Sequence, residues 1–362
     1  MRAPRRIGAL AADTPVLPGA RSYFLSMERQ VLEPEAAGGP HAMVTRYLVD
    51  TDGEVLKGAS EDDLRDRLRA GTFFWLDLHR PEPSDLALLR DVFQFHPLAV
   101  EDAESFGQRP KVDPYDDFSF VVAYGSAPDE DGVVEVHCFV SERFLVSVHH
   151  DICPPFASLQ KRYAGRHQRL SGGAMLLQQV IDSLVDSFFP ALETLDDRID
   201  TVQQEIFDRP REEQLQEIFT MKQRLIMLRR VIGPQRDMVT QVVTGSAEIP
   251  GMDDESRRYF RDIEDHLLRL SDMVNSYRDL LSGAIDVYLS SVANRRDQVV
   301  KQLTVLATIF LPITFLTGFF GQNFGYMVTD LIGSREAFVV GTLMQVATVA
   351  AILGFFKARG WI

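Results

Sequence analysis

One face of a helical stretch near the C-terminus carries residues able to handle a cation. Asp297, Val300, Leu303, Ala307, Leu311, Thr314 and Gly318 recur at intervals of three or four, so in a helix they share one stripe. The stripe opens on a carboxylate, passes bulky apolar side chains, and closes on a hydroxyl and a glycine. Gly321, Gln322 and Asn323 follow at once, and no charged residue occurs from Gln302 through Thr329. Neutral oxygens suit a hydrated dication. Mg²⁺ dehydrates reluctantly and keeps several waters, and amide oxygens can hydrogen-bond those waters without stripping them. A ring of carboxylates would hold the ion too tightly, because conduction needs a site weak enough to leave. Val300, Leu303 and Leu311 then read as apolar constrictions that gate by dewetting. Glycines at 321 and 325 would permit a sharp turn that aims Asn323 at the pore axis. The stripe also has a second reading. Ala307, Thr314 and Gly318 are small, and small residues let helices approach closely in lipid.

Two spans position this stripe. Residues 303–320 and 337–356 are apolar, uncharged and close to the roughly 20 residues that cross a bilayer as a helix. The segment 321–336 between them is short, so the spans form a hairpin with both ends on one side. Arg295, Arg296 and Lys301 precede the first span, and Lys357 and Arg359 follow the second. The connecting loop has no positive excess. Positive flanks stay inside, which predicts a multi-pass plasma-membrane protein with both termini cytoplasmic, 357–362 a basic cytoplasmic tail, and the Asn323 loop outside. Two spans cannot enclose a pore, so the pore reading requires a ring of subunits.

Upstream the pattern changes twice. Residues 1–42 are rich in Ala, Gly, Pro and Arg and read as a flexible tail. Residues 43–170 hold strand-like runs at 43–49, 72–78, 118–124, 133–140 and 143–150, with one helical stretch at 84–104 capped by Ser84 or Asp85. That predicts an α/β domain. From 171 to 302 the pattern is helical, with helices at 174–208, 211–232 and 235–246. A last helix starts near Asp253 and runs without a strong breaker until Pro312. Leu270, Val274, Tyr277, Leu281, Ala284, Tyr288 and Ser291 alternate by four and three, a coiled-coil spacing, which suggests a stalk packing on copies of itself.

Composition narrows the classes. The chain has 362 residues, with 52 acids against 38 Lys plus Arg and a net charge of -14. That argues against nucleic acid, whose partners carry basic surfaces, and suits attraction of cations. The two cysteines, Cys138 and Cys153, have no CxxC pairing and read as ordinary residues. No P-loop, GxSxG or HExxH motif is present, so no enzyme is expected. His149 and His150 tempt as a metal pair, but neighbours on a strand point to opposite faces. His79, His96 and Asp77 show no ligand spacing.

The segment from Tyr288 to Met327, the block "HPLAVEDAESFGQRPKVDPYDDFSFVV" and the terminal "FFKARGWI" together resemble the CorA-type divalent-cation transporter family across most of residues 43–362. The resemblance implies a funnel-shaped homopentamer with an α/β cytoplasmic domain, long stalk helices and two spans per chain, closed by its own cytoplasmic Mg²⁺. It implies that Asn323 meets the hydrated ion within the Gly321-Gln322-Asn323 filter. Leu311, Thr314 and Gly318 would line the pore, and Val300 and Leu303 would form its constriction. It further implies a regulatory Mg²⁺ between subunits at Asp102, with Asp262 taken as the stalk carboxylate opposite. The chain departs from the family pattern in three places. Gln322 replaces the methionine of the Gly-Met-Asn triplet, Val328-Thr329-Asp330 replaces the Pro-Glu that follows Met327, and Asp297 replaces an asparagine. Three functions therefore stay open: Mg²⁺ uptake, with Co²⁺ or Ni²⁺ as further cargo; proton-coupled Zn²⁺ transport; and a membrane-anchored cation sensor without flux.

Overall fold

The computed structural model describes residues 46–51, 53–128, 132–163, 172–322, 325–326, 329–330 and 334–361. The 1–42 tail and Asn323 lie outside these residues.

The N-terminal part holds seven strands: β1 (Arg46–Asp50), β2 (Val55–Lys57), β3 (Phe74–His79), β4 (Lys111–Pro114), β5 (Ser119–Ser126), β6 (Val133–Val140) and β7 (Phe144–His149). They form one sheet in the order β2-β1-β3-β7-β6-β5-β4. Only the central β3–β7 pair is parallel, in the register Asp77 opposite Ser147 and His79 opposite His149. Strands β5, β6 and β7 are buried along nearly their whole length. That explains why their sequences read as continuous Val/Phe runs, with helices covering both faces.

Helices α1 (Glu61–Ala70), α2 (Pro83–Asp91), α3 (Pro97–Glu104) and α4 (Pro154–Tyr163) belong to this domain. The single helix expected at 84–104 is therefore two. Gln94 takes a left-handed φ of 55° between them, and Pro97 opens α3 at a position where its missing N–H costs nothing. The cap of α2 is Glu82, not Ser84 or Asp85. Asp85 returns a bond to the Glu82 N–H at 2.8 Å from the third helical position.

Next come α5 (Gly173–Asp186), α6 (Phe188–Asp208) and α7 (Glu212–Thr244). Gly173 sits so close to the sheet that a Cβ would lie 2.0 Å from the Ser141 carbonyl oxygen. The expected 174–208 helix is interrupted at Ser187, whose hydroxyl accepts from the Ser126 N–H at 2.8 Å. The helices expected at 211–232 and 235–246 are one, and Pro234 between them does not end α7. Just after it the fully buried Gln235 accepts from the Tyr124 N–H at 2.6 Å and donates to the Tyr124 carbonyl at 3.1 Å. Ser187 and Gln235 thus satisfy backbone groups of β5: the first anchor lies where one helix gives way to the next, and the second holds α7 continuous across Pro234.

The longest element, α8 (Asp254–Phe320), has 67 residues, about 100 Å at 1.5 Å per residue. Asp253 caps it, accepting from the Ser256 N–H at 2.7 Å. Phe260, Ile263, Leu267, Leu270, Val274, Tyr277, Leu281 and Ala284 are buried along it. Up to Ala284 this heptad stripe packs on α5, α6 and α7 of the same chain, so that part of it is used within the chain. From Ser282 onward most of α8 is exposed. The second span is α9 (Arg335–Ala358), capped by Ser334.

Candidate functional site

The last third of α8 and all of α9 form a close antiparallel pair. Each is long and apolar enough to cross a membrane, and neither span is buried within the chain. At one end the Phe320 ring lies 3.4 Å from where a Cβ on Gly341 would sit. At the other, the Lys301 ammonium stands 5.9 Å from the Trp361 ring centroid, and Trp361 stacks on Phe356. The contact face of α8 is visible in its burial: Val305, Ile309, Pro312, Ile313, Leu316 and Phe320 are half-buried.

The stripe singled out from the sequence lies on the other side. Leu303 and Val305 are two residues apart, about 200° around a helix. Asp297, Val300, Leu303, Ala307, Leu311, Thr314 and Gly318 are all exposed, Leu311 at 73%. The small residues of the stripe are therefore not what the two spans of one chain use to pack. Among the described residues, Asp297 makes a single long ion contact, 3.8 Å to Arg296, at a surface where such pairs contribute little.

The span's hydroxyls have fixed directions. Thr314 donates to the Phe310 carbonyl at 2.8 Å, and Thr304 and Thr308 donate to carbonyls four residues back. Once its proton is committed to the backbone, the Thr314 oxygen can only accept toward the stripe, which suits the hydrogens of an ion's waters. Gly321 ends the helix with φ -87°, a value open to any residue, so the turn at 321 does not need glycine's conformational freedom. Glycine is needed there for room, because a Cβ would lie 3.0 Å from the Thr317 carbonyl oxygen. Gly325 likewise lacks a positive φ and meets nothing within 4 Å. Gln322 donates its N–H to the Phe319 carbonyl at 3.3 Å.

Asp102 lies on α3, with its carboxylate 2.5 Å from the Lys111 ammonium, which also holds Asp113 at 2.7 Å. Asp262 lies on α8 near a group that sequence reasoning missed. One carboxylate oxygen each of Asp182 and Asp186 and a ring nitrogen of His266 lie within 4.8 Å of one another. His266 Nδ1 is 3.2 Å from Asp186 without a well-aligned hydrogen bond. Burial and then the charge of Asp186 push the Asp182 carboxyl above its ordinary range, and Asp262 adds to the effect. The available signal was the spacing: Asp182/Asp186 and Asp262/His266 are both i,i+4 pairs on helices.

The histidine expectation holds. His149 is buried and His150 exposed. Asp77 and His79 both meet His149, a contact the sequence reading did not give. The parallel pairing sets Asp77 3.2 Å from His149 Nε2, and His79 stacks on His149 at 4.9 Å. Ser147 and Gln160 donate to Asp77 at 2.6 and 2.9 Å, forming a satisfied buried network. Cys138 and Cys153 are both free and buried, as ordinary core residues.

The family model described as "CorA-like Mg2+ transporter protein" matches residues 70–358. The chain is 35% identical over 290 residues to the Bacillus subtilis (strain 168) protein YfjQ, covering 80% of this chain and 90% of that one. It is 34% identical over 278 residues to the cobalt/magnesium transport protein CorA of Thermotoga maritima, covering 75% and 78%. A zinc transport protein, ZntB of Yersinia enterocolitica, is 27% identical over 300 residues, covering 80% and 88%. Among solved structures, the CorA magnesium transporter of Methanocaldococcus jannaschii superposes with a TM-score of 0.75 at 21% identity, over 89% of this chain and all of that one. By the extent of the family match and the identity to these relatives, the chain belongs to the CorA-like Mg²⁺ transporter family.

Proposed function

We propose that the protein carries divalent cations, chiefly Mg²⁺, across the plasma membrane through a homopentameric pore walled by α8. The observation that carries this reading is the bare stripe opposite the α8–α9 contact face. A ring of copies turns each stripe residue into a ring of side chains. Val300, Leu303 and Leu311 become apolar constrictions, Thr314 supplies accepting oxygens, and Asn323 supplies the filter at the entrance. In this reading, Lys357, Arg359 and both termini lie on the cytoplasmic side.

Closure by cytoplasmic Mg²⁺ belongs to the same proposal. Hard carboxylate oxygens suit Mg²⁺, and Asp182 and Asp186 with Asp262 crowd negative charge that a cation would relieve. Asp102 of one subunit and Asp262 of the next would share the ion, and there Mg²⁺ must displace the Lys111 ammonium from Asp102. Gln322, the altered 328–330 segment and the zinc-transporting relative favour a second reading, Zn²⁺ transport coupled to protons.

Liposomes loaded with Mg²⁺- and pH-sensitive dyes separate the readings. Inward Mg²⁺ flux driven by an inside-negative potential, abolished by Asn323→Ala, is expected. Zn²⁺ uptake with a simultaneous pH change and no Mg²⁺ flux would select the second reading. Silence for every ion from an intact oligomer would leave a sensor without flux.

A further inference from the structure

A cleft of about 400 Å³ lies where α8 meets the α6–α7 turn, and its walls are cationic. Arg209 and Arg211 come from the turn, and Arg295 and Arg296 from α8. The floor is apolar, made in part by Val292 and Val299. Acids stand close by, but they do not neutralise it. Arg211 reaches Glu205 only at 3.8 Å, and Arg296 reaches Asp297 at the same distance. Among the described residues, Arg209 and Arg295 have no ion-pair partner.

The position of the cleft matters as much as its charge. Val299 precedes Leu303 by four residues, about 6 Å of helix, and Arg295 and Arg296 precede it by about 10–12 Å. The polar layer of a bilayer is roughly 5–8 Å thick on each side. The cleft therefore lies at the membrane surface if 303–320 spans. Lys301 and Trp361, at the level of the span's start, are the residue types that sit at such an interface.

A third feature continues from the cleft. Val299, Leu306 and Phe310 are seven and four residues apart and share one face of α8. They are 49%, 54% and 57% exposed. This face is distinct from the one packed on α9 and borders the bare stripe at Leu303, which lies four, three and seven residues from its members. A cationic cleft thus opens onto an apolar track running into the span. A headgroup phosphate and an acyl chain have this arrangement.

We infer that the cleft holds the headgroup of an anionic phospholipid, with an acyl chain lying along Val299, Leu306 and Phe310. This rests on the membrane-spanning reading of α8 but not on any transported ion. The lipid would tie the α6–α7 turn to the stalk at the point where α8 enters the membrane.

The test uses the full chain in phosphatidylcholine nanodiscs doped with spin-labelled phosphatidylglycerol or spin-labelled phosphatidylcholine. The motionally restricted fraction gives a relative association constant. Preference for phosphatidylglycerol is expected, falling roughly 30-fold in Arg209→Gln/Arg295→Gln, about fivefold per cationic side chain near an anionic surface. The Arg209→Lys/Arg295→Lys protein keeps the charge and should retain most of the preference. It also serves as the folding control, as does elution of each variant as the wild-type oligomer. Equal restriction of both lipids in the wild type overturns the proposal, and so does an unchanged preference in the glutamine variant. Displacement of the lipid signal by millimolar glycerophosphate would make this a free-anion site and overturn the lipid assignment. Absence of any restricted lipid would instead sink the membrane reading itself.

Discussion

At the scale of single residues, Asp182, Asp186 and His266 meet only once two helices far apart in sequence fold together, which is why they escape a reading that finds local patterns such as the proposed Asp297–Gly318 stripe on one helix face. The group has a thermodynamic signature. Burial, then Asp186 and Asp262, raise the folded-state pKa of Asp182. A carboxyl with a raised folded pKa contributes stability below its unfolded value, and that contribution is lost as pH rises through the folded value. The metal-free protein should therefore lose stability as pH climbs from about 4 through the raised value. A dication bound there should restore it above that range. At 100-fold excess over its dissociation constant, Mg²⁺ is expected to raise the thermal midpoint by about 5 °C at pH 7.5. Asp182→Asn should raise the metal-free midpoint and shrink the Mg²⁺ response. Scanning calorimetry with and without Mg²⁺ reads both. An undiminished Mg²⁺ response in the variant would remove Asp182 from the metal group.

At the scale of elements, long uninterrupted patterns were legible and short or tertiary-dependent ones were not. The bounds of α8 and α9 lie close to their sequence signals, a capping aspartate and serine and charge-free runs. Strands β2 and β4 went unseen, being only three and four residues long. Helices α1 and α4, each 10 residues, lack the length that makes periodicity decisive. Pro234 misled because proline's cost is local while Gln235's anchorage to Tyr124 is not. The α8–α9 pair makes its own prediction. Gly341 leaves just enough room for the Phe320 ring, immediately before Gln322 and Asn323. Gly341→Ala adds an atom at ordinary contact distance and should behave as wild type. Gly341→Leu overpacks the site, a change that typically costs about 1–3 kcal/mol. It should prise the spans apart beside the filter. Thermal unfolding in detergent and the liposome flux assay should both fall for leucine only. Equal behaviour of the two variants would show that the Phe320–Gly341 contact does not hold the pair.

At the scale of the molecule, one continuous helix joins the acidic patch to the proposed pore. Asp262 and His266 stand near the start of α8, and Leu303 opens its apolar candidate span. The 41 residues from Asp262 to Leu303 make about 60 Å of continuous helix. The first half is clamped by α5, α6 and α7, whereas beyond Ser282 most of α8 is exposed. If Mg²⁺ at the patch closes the pore, the signal must cross this less supported length. A helix transmits a tilt only while its hydrogen bonds are continuous, and a proline in its interior removes one and clashes with the preceding turn. Ser290 is exposed on this stretch and makes no side-chain bond among the described residues. Ser290→Pro should therefore separate two properties that travel together in the wild type. Mg²⁺ flux through the pore should persist, because no stripe residue is altered. Inhibition by Mg²⁺ on the stalk side should weaken at least tenfold in concentration. Ser290→Ala, which keeps the helix continuous, should leave both unchanged. The comparison is made on proteins that elute as the same oligomer, in liposomes with set internal Mg²⁺. Unaltered inhibition in the proline variant would mean that closure is not carried along α8, and would direct attention to contacts between subunits.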